Sequence, residues 1–219
     1  MSLILEQDFG TKGHKFNVKL LSNPTARVEL VDGTRQPLET VTKLTRGYSG
    51  EYSNLTPLEE EIDKAINDLN NTKLKTPFEM AYFVFLIKDV TRSFTHQLVR
   101  TRQASYVQES MRFLGHKKEY KCLISGNPDD GAIIVKFFNS VCESICNYED
   151  LMKMGMSSEE ARGVLPHSIL TSVFVGAPLS SFQKMYEQRM CCQAQPGEWQ
   201  VVMRGIKRAL GDVYGRSLS

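Results

Sequence analysis

Two periodicities in the hydrophobic positions divide the chain into predicted strands and helices. Alternating apolar and polar side chains, or short runs of branched and aromatic ones, predict strands. These predicted strands cover residues 16–20, 27–30, 82–87 and 169–175. A further extended segment is predicted over residues 104–113. The predicted strands are therefore spread over the whole chain.

Apolar residues spaced three and four positions apart predict helices between these strands. One helix is predicted to begin at Pro57 with Thr56 as its cap. Ser157 and Glu160 have the spacing of a capping box at the start of another. The other predicted helices cover residues 91–102, 132–154, 179–192 and 198–210. Because strands and helices do not alternate regularly, we expect an α+β fold with a central mixed or antiparallel sheet flanked by helices.

Length and charge indicate an ordinary globular enzyme or binding protein. The 219 residues suffice for one domain, which we expect to span residues 1–219. With 27 basic and 25 acidic residues the net charge is +2, so we expect neither a nucleic acid nor a membrane as partner. The N-terminal residues have no basic flank followed by a long apolar region. We therefore expect no signal peptide and a cytoplasmic location.

The cysteines and histidines do not form the spacings typical of a metal site. The five cysteines include no C-x-x-C pair, and the four histidines are scattered. Cys142 and Cys146 lie one helical turn apart in an apolar stretch, where packing explains them. We expect no protein-bound metal.

Candidate chemistry concentrates in the arginine-rich segment 90–113, which contains four arginines and no lysine. Gln97 lies three residues before Arg100, so a helix would present both on one face. In an extended segment Gln108, Ser110 and Arg112 would share one side. Arginine binds phosphate oxygens in a bidentate fork, and the amide and hydroxyl suit the edge of a base. The segment therefore predicts a site for a nucleotide-like anion, although solvated surface arginines would have the same sequence.

The spacing of this segment resembles the signature of flavin-dependent thymidylate synthases. It reads Arg-x-Arg-x-x-Ser-x-x-x-x-Ser-x-Arg from Arg100 to Arg112, and Thr-Pro-Phe-Glu precedes it at residues 76–79. Further along, Arg162 lies in an Ala-Arg-x-Val-Leu-Pro segment that is similar to another family element. Arg189, with Gln-Ala-Gln at residues 193–195, resembles the closing arginine of the family.

This resemblance implies roles for particular residues of the chain. Arg189 would stabilise negative charge on the pyrimidine ring, and Ser110 would donate a hydrogen bond rather than act as a nucleophile; these two are the candidate catalytic residues. The residues implied to bind the nucleotide are Gln97, Arg100, Gln108, Ser110, Arg112, Arg162 and Arg189. Those implied to line the flavin are Thr76, Glu79, Arg100, Thr101 and Arg102.

The resemblance also implies an assembly and a reaction. Members of the family are homotetramers in which each active site combines residues of several subunits, and the resemblance implies the same assembly here. It transfers a one-carbon unit from methylenetetrahydrofolate to C5 of dUMP, with FAD as hydride carrier and NADPH as its reductant. In this chain Thr101 replaces the motif histidine, Val107 the asparagine and Gln108 the glutamate. Loss of a carboxylate at Gln108 leaves open which pyrimidine nucleotide is accepted.

Two alternatives to dUMP methylation follow from these departures. One is a family variant that adds a hydroxymethyl group or acts on another pyrimidine nucleotide. The other is a nucleotide-binding or single-stranded nucleic-acid-binding protein that has lost the flavin, with Tyr106 and Phe113 stacking on bases.

Overall fold

The computed structural model describes residues 3–11, 14–53, 56–113, 118–125, 129–190 and 197–211. Its seven strands in these ranges are β1 (Leu3–Thr11), β2 (His14–Leu21), β3 (Arg27–Gly33), β4 (Tyr82–Thr91), β5 (Ser105–Gln108), β6 (Glu119–Leu123) and β7 (Leu170–Pro178). Its eight α-helices in the same ranges are α1 (Pro37–Tyr48), α2 (Glu59–Asn71), α3 (Thr76–Glu79), α4 (Arg92–Leu98), α5 (Gly131–Lys153), α6 (Ser158–Ala161), α7 (Leu179–Met190) and α8 (Glu198–Leu210). Two short 3₁₀ helices cover Met111–Phe113 and Arg162–Val164.

The strands form two sheets. In the smaller sheet, of order β1-β2-β6, β1 and β2 are antiparallel and β2 and β6 are parallel. The larger sheet has the order β3-β4-β7-β5, and all its neighbours are antiparallel. The prediction of an α+β fold is confirmed, but the expectation of one central sheet is wrong.

Each sheet has its own hydrophobic core. One face of the larger sheet, with Phe85 and Val175, packs against apolar residues of α1, α2, α7 and α8. Close packing of α8 on β3 requires Gly205, because a Cβ atom there would lie 2.7 Å from a methyl carbon of Val28. The smaller sheet packs Val18 and its neighbours against the long helix α5. An isolated antiparallel bridge between Cys122 and Ile169 connects the two halves.

Within the described ranges, no helix combines the length and apolar character needed to cross a membrane. The structure also moves several predicted boundaries. Helix α2 begins at Glu59 rather than Pro57, and its cap is Leu58, whose N–H donates to the Glu61 carboxylate at 2.6 Å. The predicted capping box at Ser157 and Glu160 is present at the start of α6. Helix α8 has the predicted bounds.

Candidate active site

Helix α4 carries part of the predicted site, and its N-terminus is fixed by a buried carboxylate. The hydroxyl of Thr91 caps the helix by accepting the N–H of Phe94 at 3.0 Å. Thr91 in turn donates its own N–H and hydroxyl to Glu198 of α8, at 2.7 and 2.8 Å. Glu198 is almost fully buried, and this burial raises its pKa. The start of α4 is therefore tied to the start of α8.

The C-terminus of α4 lies earlier than the sequence pattern predicts. The helix ends at Leu98, where a tight turn follows and the hydroxyl of Tyr106 donates to the carbonyl oxygens of Leu98 and Thr101 at 2.8 and 3.0 Å. A side chain from β5 thus satisfies carbonyl groups that a longer helix would have bonded. Arg100 and Arg102 consequently lie in the turn after α4, and the prediction of a helix to residue 102 is wrong.

Two predicted site residues and one tryptophan contact each other where α4, α7 and α8 converge. The Gln97 amide oxygen accepts the indole N–H of Trp199 at 3.0 Å, and Arg189 Nη1 lies 3.5 Å from the same oxygen. The Arg189 guanidinium also lies over the Trp199 ring, 4.4 Å from its centroid. Cation–π contact of this kind holds an arginine without neutralising its charge. Gln97 and Arg189, which the family resemblance assigns to the nucleotide, are therefore in contact across 92 residues of sequence.

A second group brings two arginines, Arg112 and Arg162, to one carboxylate, with a third arginine near Arg162. Glu159 Oε1 lies 3.3 Å from a guanidinium nitrogen of Arg112 and 3.6 Å from one of Arg162. Arg92, at the first position of α4, is close enough to Arg162 for their charges to interact. Partial burial is the main cause that lowers the pKa of Arg92, and Arg162 lowers it further while Glu109 opposes the shift. These arginines, Arg92, Arg112 and Arg162, are called the arginine group below.

Gln108 and Ser110 lie between Gln97 and Arg112 in the sequence, but they do not share a face with Arg112. Strand β5 ends at Gln108, and Met111–Phe113 form a 3₁₀ helix, so the expected extended segment is interrupted. The Gln108 amide nitrogen donates to Thr95 Oγ1 of α4 at 2.8 Å. The Ser110 hydroxyl accepts the N–H of Arg112 at 3.3 Å, and within the described ranges no general base bonds to it. This environment suits a hydrogen-bonding role for Ser110.

The residues implied to line the flavin lie on two elements, the short helix α3 and the turn after α4. Thr76 and Glu79 lie on the short helix α3 and are exposed, as are Arg100 and Arg102 in the turn after α4. Thr101 lies between these arginines and accepts Tyr106 through its carbonyl oxygen. In the part of the chain that the structure describes, no side-chain hydrogen bond or ion pair joins these residues to the Gln97 or arginine groups. Two exposed guanidiniums with no carboxylate partner in that part fit a diphosphate-bearing cofactor such as FAD.

Comparison with known proteins places the chain in a family. Residues 29–214 match the family model described as thymidylate synthase complementing protein. A flavin-dependent thymidylate synthase of Pyrococcus furiosus is 30% identical over 183 residues, covering 80% of this chain and 74% of the relative. One from Sulfurisphaera tokodaii is 32% identical over 181 residues, covering 80% and 68%. The chain belongs to the thymidylate synthase complementing protein family, and it is a flavin-dependent thymidylate synthase-like enzyme.

A solved structure shows the same fold at low sequence identity. The crystal structure of the UMP/dUMP methylase PolB from Streptomyces cacaoi, bound with 5-Br dUMP, matches with a TM-score of 0.74 and 19% identity. The match covers 90% of this chain and 94% of that one. This likeness shows the fold, while the family model and the relatives confirm the family membership predicted from the arginine motif.

Sequence analysis assigned no role to Arg92, one of the four arginines of the candidate segment, or to Trp199, although the structure places both among the predicted residues. Arg92 carries no motif of its own, although it follows Thr91 at the start of a helix and could have been recognised as a cation at that end. Trp199 carries no local signal at all. Its contact with Gln97 spans 102 residues and depends on the packing of α8 against α4.

Proposed function

We propose that this chain transfers a one-carbon unit from methylenetetrahydrofolate to C5 of a pyrimidine nucleotide, converting dUMP to dTMP, with FAD as hydride carrier and NADPH as its reductant. The observation that carries the proposal is the contact between Gln97 and Arg189, since it joins two residues of the nucleotide motif from distant parts of the chain. The family membership and the likeness to a UMP/dUMP methylase support the same chemistry.

In this proposal the two groups of side chains have different tasks. The arginine group holds the phosphate, because guanidinium forks match phosphate oxygens and Ser110 adds a hydroxyl donor nearby. Gln97 and Arg189 meet the base. Arg189 keeps its charge beside the Trp199 ring and stabilises negative charge on the pyrimidine as C5 becomes nucleophilic. Gln108 holds its amide nitrogen on Thr95 and leaves its oxygen to accept a donor of the nucleotide.

The cofactor surface comprises Thr76, Glu79, Arg100, Thr101 and Arg102, with the two guanidiniums contacting the diphosphate of FAD. When bound, the flavin supplies the hydride that completes the methyl group. Arg100 lies next to both surfaces in sequence, three residues after Gln97, and is proposed to contact nucleotide as well as flavin. Residues 1–219 form one thymidylate synthase-like domain in this account, and its cytoplasmic location and lack of membrane or nucleic-acid partners stay predictions.

We also propose that the protein is a homotetramer. The face of the larger sheet that points away from its core carries an apolar row, since Leu86 pairs with Phe174 and Phe174 with Val107 in register. Phe174 is 39% exposed and Val107 70% exposed. A row of this kind favours burial against a second copy of the chain. Sizing by light scattering tests the proposal, and a strict monomer would contradict it.

The test of the reaction is a turnover assay with product mass analysis. The purified protein is incubated with FAD, NADPH, methylenetetrahydrofolate and, separately, dUMP, UMP or dCMP. We expect dUMP to gain one CH₂ and Arg189→Ala to abolish this product, while Arg204→Ala on the exposed face of α8 retains it. A gain of CH₂O, or methylation of UMP or dCMP alone, would instead support the family variant. Nucleotide binding without any product in the presence of all cofactors would support the non-catalytic alternative.

A further inference from the structure

The buried side chain of Trp199 touches both residues proposed to meet the base. Trp199 is the second residue of α8, is only 1% exposed, and is the one tryptophan of the sequence. Its ring packs on Phe94 of α4 with centroids 4.5 Å apart. Its indole N–H reaches Gln97 and its ring face carries Arg189. One core residue thus supports side chains from two other helices.

The hydrogen bond from Trp199 fixes the orientation of the Gln97 amide. Indole N–H and guanidinium groups are donors that cannot accept a hydrogen bond. The amide must therefore turn its oxygen toward Trp199 and Arg189, because a flipped amide would place its NH₂ group against the indole N–H at 3.0 Å. The NH₂ group of Gln97 consequently points away from Trp199. None of the described residues accepts a hydrogen bond from it.

We propose that Trp199 is a positioning residue for the nucleotide site: it holds the Gln97 amide so that only its NH₂ group faces the substrate, and the substrate must present a hydrogen-bond acceptor there, a carbonyl oxygen of the pyrimidine ring. This inference rests on the proposed function, which supplies the pyrimidine nucleotide. A glutamine without this contact could offer either its oxygen or its nitrogen. Because folding already fixes the donor orientation, nucleotide binding does not have to supply the free energy of ordering the amide.

The polarity of Gln97 is tested by Gln97→Glu. The glutamate keeps an oxygen toward Trp199 and Arg189 but presents a second oxygen in place of NH₂. We expect the Kd for dUMP, measured by calorimetry, to rise at least about 10-fold. The variant loses the hydrogen bond from the NH₂ group to the substrate carbonyl, and it also places a second acceptor oxygen against that carbonyl. Gln188→Glu, an exposed change beside Arg189, adds the same charge and controls for repulsion of the phosphate. Unchanged or tighter binding in Gln97→Glu would overturn the proposed orientation.

The role of Trp199 is tested by a double-mutant cycle. Trp199→Phe retains an aromatic ring against Phe94 and under Arg189 but removes the indole N–H. We expect it to raise the Kd for dUMP about 10-fold in the wild-type background and less than about 2-fold in the Gln97→Ala background, since Trp199 acts through Gln97. A merely structural role would give the same change in both backgrounds, and that result would overturn the inference while the proposed function stands. Failure of the wild-type protein to bind any of dUMP, UMP and dCMP would instead contradict the proposed function itself.

Discussion

The carboxylate of Glu159 lies 3.3 Å from the guanidinium of Arg112, in the place where a nucleotide phosphate is proposed to bind. It is also 3.6 Å from Arg162. Both partners of the Arg112–Glu159 pair are about half exposed, so solvent weakens their attraction and a dianionic phosphate can displace the carboxylate. We therefore expect Glu159 to compete with the phosphate for Arg112 and Arg162.

Removing this competitor should strengthen nucleotide binding. We expect Glu159→Gln to lower the Kd for dUMP about 2- to 5-fold at low ionic strength, with a smaller gain in high salt, because the contact is between screened surface charges. Calorimetric titration measures the effect. Glu143→Gln, an exposed change on α5, removes the same charge away from the arginine group and should leave the Kd unchanged. Weaker binding by Glu159→Gln would show that the carboxylate orients the arginines rather than competing for them.

Glu198 should contribute to stability in a way that depends on pH. Burial raises its pKa above the ordinary glutamate value of 4.5, while its hydrogen bonds from Thr91 oppose the shift. The folded state therefore holds a proton at pH values where the unfolded state has released it. Between the raised pKa and 4.5, the contribution of Glu198 to stability must increase as the pH falls.

Urea unfolding of wild type and Glu198→Gln at several pH values tests this dependence. The free energy of unfolding of wild type, relative to that of the variant, should increase as the pH is lowered from 7.5 toward about 4.5. At neutral pH we expect Glu198→Ala to lose about 2 kcal/mol, since it leaves the N–H and hydroxyl of Thr91 buried without this acceptor. A difference between wild type and Glu198→Gln that stays constant with pH would contradict the assignment of a raised pKa.

The sequence predicts the parts of the fold that local pattern controls. The bounds of α8 follow from its apolar face, and the start of α6 follows from the Ser157 and Glu160 spacing. The end of α4 does not follow, because Tyr106 of β5 bonds to its last carbonyl groups. The division into two sheets could not be predicted from local pattern either, because strand pairing such as β2 with β6 joins residues about 100 positions apart.

The same distinction applies to the candidate site. Spacing within residues 97–112 identifies the motif, because those residues are close in sequence. The participation of Arg92 and Trp199 arises from packing between α4, the 3₁₀ segments and α8. No pattern in a single stretch of chain contains that information. The arginine motif thus identifies the family, and the three-dimensional contacts add the residues that lie beside it.

The smaller sheet should support stability without affecting the site. The Tyr120 hydroxyl donates to the buried carboxylate of Glu149, and burial with this carboxylate raises the pKa of Tyr120. We expect Tyr120→Phe to lower the free energy of unfolding by about 1–3 kcal/mol, because Glu149 would lose a buried donor. The Kd for dUMP should stay unchanged. Tyr52→Phe, at a residue that is 73% exposed, is the matched control and should change neither quantity.

A dUMP titration followed by tryptophan emission tests most directly whether the two groups form one nucleotide site. The protein has a single tryptophan, and it contacts both Gln97 and Arg189, so we expect bound nucleotide to alter the surroundings of that fluorophore. We predict a saturable change in emission whose midpoint rises about 10- to 100-fold in Arg112→Ala, through loss of a charged hydrogen bond to phosphate, and does not move in Arg204→Ala. A titration that leaves the emission unchanged, or one with the same midpoint in Arg112→Ala as in wild type, would contradict the account.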